Sequence, residues 1–288
     1  MPALADPIDH LLALDPGGRG IGGFFVPGGA LAAATALRRA RRVLIVTGFV
    51  VAEGASETDG PPGAAVLGRA LRRLGADVRY VTDAVTRPLL VASLGVLDEP
   101  QDVLVYPAGP DAARRVMAEV KPSHLVAIER PGRCRTGDYL NARGLSVAHW
   151  NPPLDELFMR PPARVVTIGV GDGGNEIGMG NARARIVRQG SLMARIAATV
   201  KVNHLVVAGV SNWGAYGIVA QLARLAGTPL VHSPELERRM IHACVEAGGH
   251  DGLTRRREPT VDGLPMDTHA AMVELLGVSW KRPGGRSA

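Results

Sequence analysis

RRVLIVTGFVVAEGASETDGPPGAAVLGRALRRLGADVRYVT, residues Arg41 to Thr82, decides the fold. Four consecutive apolar residues, Val43 to Val46, are broken by Thr47-Gly48, so Arg41 to Phe49 reads as a strand buried on both faces. The polar loop that follows ends at Pro61-Pro62. Proline suits the first turn of a helix because its φ is preset and its missing N–H would be unpaired there anyway. Ala64 to Leu74 then carries apolar residues at helical spacing, and Asp77 to Thr82 is the next strand. A strand, a crossover helix and a strand make the unit of a parallel sheet.

The alternation extends in both directions. Upstream, GGRGIGGFFVPGG (Gly17 to Gly29) is a loop feeding an alanine-rich helix, Gly29 to Arg41. Downstream, helices are expected at Thr86–Leu97, Asp111–Val120, Tyr216–Ala226, Pro234–Ala247 and Thr268–Leu276, with a short one reaching Phe158. Strands are expected at Asp102–Tyr106, His124–Glu129, Leu145–His149, Arg164–Ile168, Asn203–Val210 and Thr228–His232. The last eight residues are expected to fray. The pattern predicts an α/β chain: a doubly wound, mostly parallel sheet with helices on both faces, Rossmann-like and three-layered. There is no internal repeat. Residues 1–288 read as one domain, and Asn151 to Pro162 is the only stretch where a sub-lobe boundary would fall.

Composition narrows the function. At 46% hydrophobic and 21% charged, the chain has the balance of a folded soluble protein. No apolar run approaches the ~20 residues of a membrane helix, and the N-terminus lacks the basic region of a signal peptide. Two cysteines, Cys134 and Cys244, make no disulfide framework, so a reduced, cytoplasmic protein is expected. The net charge of +6 comes from scattered arginines with no aromatic interleaving, which argues against nucleic acid and is compatible with a small anionic substrate. A homo-oligomer is compatible with the sequence.

The most chemically loaded stretch is TIGVGDGGNEIGMGN, Thr167 to Asn181, where six glycines surround Asp172, Asn175 and Glu176. Gly169, Gly171 and Gly174 match G-x-G-x-x-G after a strand, but Asp172 would face a pyrophosphate with its own negative charge, so a dinucleotide is set aside. If the chain turns helical there, Asp172 and Glu176 face one site as metal ligands or as an acid–base pair. The bland alternative is a cap and a solvated side chain. The loop after the first strand offers Glu57, Thr58 and Asp59, one of which would serve equally as an N-cap. The loop after Glu129 holds Arg130, Asp138, Asn141 and Arg143, suited either to a carboxylate or to loop hydrogen bonding. Ser211-Asn212-Trp213 opens a helix whose N–H groups suit an anion, unless they cap it and Trp213 is packing. No C-x-x-C, H-x-H, Walker loop or G-x-S-x-G elbow is present.

Taken together, TGF (Thr47 to Phe49), ETDGPPGA (Glu57 to Ala64), GDYLNARG around Asp138, GVGDGGNEIGMG (Gly169 to Gly180), SNWGAYG (Ser211 to Gly217) and DGLTRRREPTVDGLP near the C-terminus resemble the C-terminal domain of the D-glutamate cyclase family. The likeness runs from the first strand to about Asp267, and a stand-alone, bacterial-type member, lacking the extra N-terminal domain of the animal enzymes, is expected. It implies a lyase that dehydrates D-glutamate to 5-oxo-D-proline. The candidate acids and bases are Glu57, Asp59, Asp172 and Glu176. The candidate substrate contacts are Thr58, Gly171, Gly173, Gly174, Asn175, Asp138, Asn141, Arg143, Ser211, Asn212 and Trp213. Arg143 or Arg130 would hold the α-carboxylate; Asn175, Asn212 or the glycine N–H groups would hold an oxyanion. So many acids beside an anionic substrate call for a divalent cation, Mg²⁺ or Mn²⁺, with Asp172 and Glu176 as ligands. Two alternatives stay open: a hydrolase or lyase for another small carboxylate or amide, and a metabolite or nucleotide sensor.

Overall fold

The computed structural model describes residues 6–281, so Met1 to Ala5 and most of the stretch expected to fray lie outside it. Six strands form the central sheet: β1 (Arg42–Thr47), β2 (Asp77–Thr82), β3 (Val103–Val105), β4 (His124–Ile128), β5 (Val166–Gly171) and β6 (His204–Val207). All pair in parallel, in the order β3-β2-β1-β4-β5-β6. This is the doubly wound arrangement expected from the alternation.

Alternate residues of β1 face opposite layers. Val43 and Ile45 join the larger core, with the helices Gly29–Leu37, Pro61–Arg73 and Ser211–Ala226. Leu44 and Val46 join a smaller core against the helices Ala112–Val120 and Glu156–Met159. A strand covered on both faces has no use for polar alternation, which is why β1 reads as an unbroken apolar run.

Three sequence expectations are corrected. β5 runs through Gly169 to Gly171, so the first glycines are strand rather than loop. The reason is close approach: a Cβ on Gly169 would lie 2.4 Å from the Ile177 carbonyl oxygen, so only glycine lets the returning chain cross the strand there. Leu145–His149 is not a strand; it makes a single bridge, Leu140 to Ser146, within its own loop. Thr228–His232 is irregular, since Pro229 has no N–H for a ladder and the segment turns to the helix layer, stacking His232 edge-on against Tyr216.

Strand order reverses between β1 and β4. In sheets of this type ligands bind beyond the carboxyl ends at that reversal. The loops leaving β1, β4, β5 and β6 there carry Glu57–Asp59, Glu129, Asp172–Glu176 and Ser211.

Candidate active site

The turn after β1 crosses the reversal point closely. Gly60 sits at φ 100°, and a Cβ there would come within 2.7 Å of the Thr47 hydroxyl and 2.9 Å of Glu129 Cβ. Glycine therefore lets the acid-bearing turn press against the end of β4. Asp59 is then locked from the side. Its Oδ2 accepts from the Ser211 N–H (2.9 Å), and its Oδ1 accepts from the N–H groups of Asn212 (2.8 Å) and Gly60 (3.0 Å). Asp172 Oδ2 also accepts from Ser211 N–H, at 3.1 Å, and Glu129 Oε2 accepts from the Ser211 hydroxyl at 2.6 Å. The anion expected at the start of helix Ser211–Ala226 is thus supplied by the protein's own carboxylates. Asp59, Glu129 and Asp172 each place an oxygen within 4.8 Å of the others.

In front of this triad lies a cavity of about 270 Å³ lined by Arg19, Glu57, Glu129, Glu176, Arg255 and Asp262, with Asn141, Arg143 and Asn175 among its other walls. Arg19 reaches in from the glycine-rich loop. It pairs with Asp172 through Nη1 and with Asp262 through Nη2 at 2.5 Å. Glu57 Oε1 and Asp262 Oδ2 are buried without a hydrogen-bond partner among the described residues. Glu129, Arg255 and Asp262 all hold positive φ, 43°, 60° and 53°. Strained non-glycine backbone persists only where the surroundings enforce it, and here half of the six described cases line one cavity.

The match to known proteins is specific. The family model "D-glutamate cyclase-like, C-terminal" covers residues 8–277. Human mitochondrial D-glutamate cyclase is 33% identical over 93% of this chain.

The chain belongs to the D-glutamate cyclase-like family.

This D-glutamate cyclase-like chain spans half the length of the human relative. Among solved structures, exonuclease RecJ bound to manganese overlays with a TM-score of 0.40 at 15% identity, covering 86% of this chain and 46% of that one. An exopolyphosphatase-related protein from Bacteroides fragilis overlays at 0.43 and 10% identity, covering 87% and 56%. These overlays are too loose to bear on the chemistry.

Burial is the main force on the acids. It pushes Asp59 up to about 7, assisted by the Asp262 charge and opposed by the Asn212 N–H. Glu57 is raised by burial and then by Asp262 and Asp59; Glu129 is raised by burial and then by Asp172 and Glu176. Burial also raises Asp172, against the pull of Arg19. Burial opposes the Arg19 charge too, but Asp172, Asp262, Glu129 and Asp59 outweigh it and hold it protonated.

The cyclase-like site draws together Glu57, Asp59, Asp172, Glu176, Asn175, Asn141, Arg143 and Ser211. Other expected contacts are committed elsewhere. Residues 172–176 bend instead of turning helical, and Glu176 folds back to accept from the N–H groups of Asp172 (3.3 Å), Gly173 (2.6 Å) and Gly174 (2.8 Å). Those glycine N–H groups are therefore occupied, and Glu176 stands outside the triad. Gly171 belongs to β5. Asn212 clasps the Gly60 and Gly63 N–H groups with Oδ1; Thr58 donates to the Thr260 carbonyl. Trp213 is core, donating to His269 at 2.9 Å. Asp138 accepts from Tyr139 N–H and the Ser146 hydroxyl and lines a different groove. Arg130 is buried in its own network, paired with Asp83 at 2.5 Å and donating to the Gly48 and Pro152 carbonyls.

Sequence reasoning missed Arg19, Glu129, Arg255 and Asp262. Glu129 carried a usable signal, an acid at the carboxyl end of a buried strand. Arg255 and Asp262 stood inside the matching C-terminal segment. Arg19 had no signal beyond a charged residue among glycines.

Proposed function

We propose that this chain catalyses the ring closure of D-glutamate to 5-oxo-D-proline with release of water. The observation that carries the reading is the convergence of Glu57 and Glu129, carried on the loop after β1 and at the end of β4, on one small cavity that also presents Arg19 and Arg143. Family membership supports the same direction.

Cyclisation forms a bond between the α-nitrogen and the γ-carbon and breaks one γ C–O bond. The ammonium gives up two protons, and the departing oxygen takes up two. A site for this needs carboxyl groups able both to accept and to donate near neutral pH. Burial raises Asp59 to about 7 and pushes Glu57 and Glu129 in the same direction. Glu57, with a free buried oxygen, takes protons from the nitrogen and returns them to the leaving oxygen, while Glu129 lines the cavity beside it. Arg143 and Arg255 at the cavity wall hold the α-carboxylate, and Asn175 steadies the oxygen of the tetrahedral intermediate.

The three hard oxygens of Asp59, Glu129 and Asp172 suit a magnesium or manganese ion, and their mutual repulsion would be relieved by one. Such an ion would supply Lewis-acid polarisation of a carboxyl oxygen. Incubation with D- or L-glutamate, with and without Mg²⁺ or Mn²⁺, followed by chiral separation of 5-oxoproline, tests the reading. D-specific product supports it. No lactam from either enantiomer, with turnover of another small carboxylate or amide, replaces it with the broader hydrolase or lyase reading.

A further inference from the structure

A second concavity, about 610 Å³, opens beside the catalytic one. Arg183 and Arg195, from the helices Arg183–Ile186 and Ser191–Ile196, face Arg135 of the loop after β4 across it. None of the three guanidinium groups makes an ion pair or hydrogen bond among the described residues, and Arg183 Nε is buried without a partner. The one acid in the lining, Asp138, has an oxygen turned to its own loop, where it accepts from Tyr139 N–H (2.8 Å) and the Ser146 hydroxyl (2.7 Å). Three guanidinium groups facing one groove repel each other, and a buried N–H with no acceptor is costly. Deeply placed arginines of this chain are paired, Arg19 with Asp172 and Asp262, Arg130 with Asp83, and Arg133 with Asp155. In this groove Arg135 and Arg195 are exposed and Arg183 is half-buried, and no carboxylate of the described residues pairs with any of the three.

We infer that the groove lined by Arg135, Arg183 and Arg195 is a binding site for a small phosphate-bearing anion, separate from the catalytic cavity. Guanidinium groups bind phosphate oxygens two at a time, which fits arginine in all three positions. A ligand of at least two negative charges would balance the groove. The site shares a wall with the catalytic cavity. The segment Asp138–Arg143 gives Asp138 and Leu140 to the groove and Asn141 and Arg143 to the cavity, and Asn175 of the glycine-rich loop donates to the Leu140 carbonyl at 2.8 Å. Leu192 and Arg195 lie against Gly144 of the same loop.

Calorimetric titration of the full chain with sodium pyrophosphate, at constant ionic strength, tests this without reference to the reaction catalysed. The expected result is saturable one-site binding. It weakens by about tenfold or more in R183Q/R195Q, as loss of charge-assisted hydrogen bonds requires, and is unchanged in R143A at the catalytic wall. Arg135→Gln, on an exposed loop residue, provides the same weakening should the double variant fail to fold. No saturable binding beyond that of ionic-strength-matched chloride would overturn the proposal. So would binding lost in R143A but kept in R183Q/R195Q.

Discussion

Two buried charged clusters lie on the two sides of helix Ser211–Ala226, and they behave differently. At the helix start, Glu57, Asp59, Glu129, Asp172 and Asp262 crowd around Arg19, with acid oxygens left over and a cavity in front. On its flank, Glu237 is buried in the core, its Oε2 taking both the Tyr216 hydroxyl at 2.9 Å and His232 Nε2 at 2.8 Å while its Oε1 has no partner among the described residues. Both clusters place carboxylates where solvation is lost. The flank cluster holds a single acid, with two hydrogen-bond partners on one of its oxygens. The rim cluster sets more acids than cations together and strains its backbone at Glu129 and Asp262. Both clusters leave an acid oxygen unpaired, so the difference between them is the number of acids the rim gathers in front of a cavity.

That contrast can be broken most sharply by Asp172→Asn and Glu129→Gln. Each should lower turnover by about 10²–10⁴-fold in a steady-state assay, while circular dichroism reports an unchanged fold. A variant that keeps its rate would move the rim cluster to the structural side of the comparison. Next in size, Arg143→Ala should raise KM by about tenfold, with a smaller change in kcat, because it removes a contact to the part of the substrate that does not react. Glu237→Gln should do the reverse: a loss of about 1–3 kcal/mol in denaturant unfolding, with kcat within about twofold of the parent.

The smallest expected effect is on pH. Asp59 is raised by burial from 3.8 to about 7, and Glu57, Glu129 and Asp172 move in the same direction. The folded chain then holds protons more tightly than the unfolded chain. The associated stability is complete below the unfolded carboxylate range and is lost as pH rises through about 7. The Tm should therefore fall between about pH 5 and pH 8 in the absence of divalent metal, and fall less with Mn²⁺, which takes the place of protons. A Tm that rises over that interval would mean the rim acids are compensated by the cations around them.

Much of the architecture was legible along the chain. The apolar run Val43 to Val46 read as a strand covered on both faces and Pro61-Pro62 as a helix start, because these are local consequences of burial and of fixed φ. Leu145–His149 and Thr228–His232 misled, because a short apolar run does not say whether a neighbouring strand is available to pair with it. The acid-bearing turns at Glu57–Asp59 and Asp172–Glu176 stood out as well, since carboxylates among glycines are poor packing material.

The sequence by itself determined the parallel sheet, the family and which turns gather acids among glycines, because backbone preference and hydrophobic periodicity act over a few residues. Only the tertiary structure decided which acids meet. It turned Glu176 to its own backbone, brought Glu129, Arg19 and Asp262 to the cavity, and left Arg183 and Arg195 without counter-charges. Charge pairing depends on distance through space, and residues 19, 129, 172 and 262 become neighbours only when the strand order reverses.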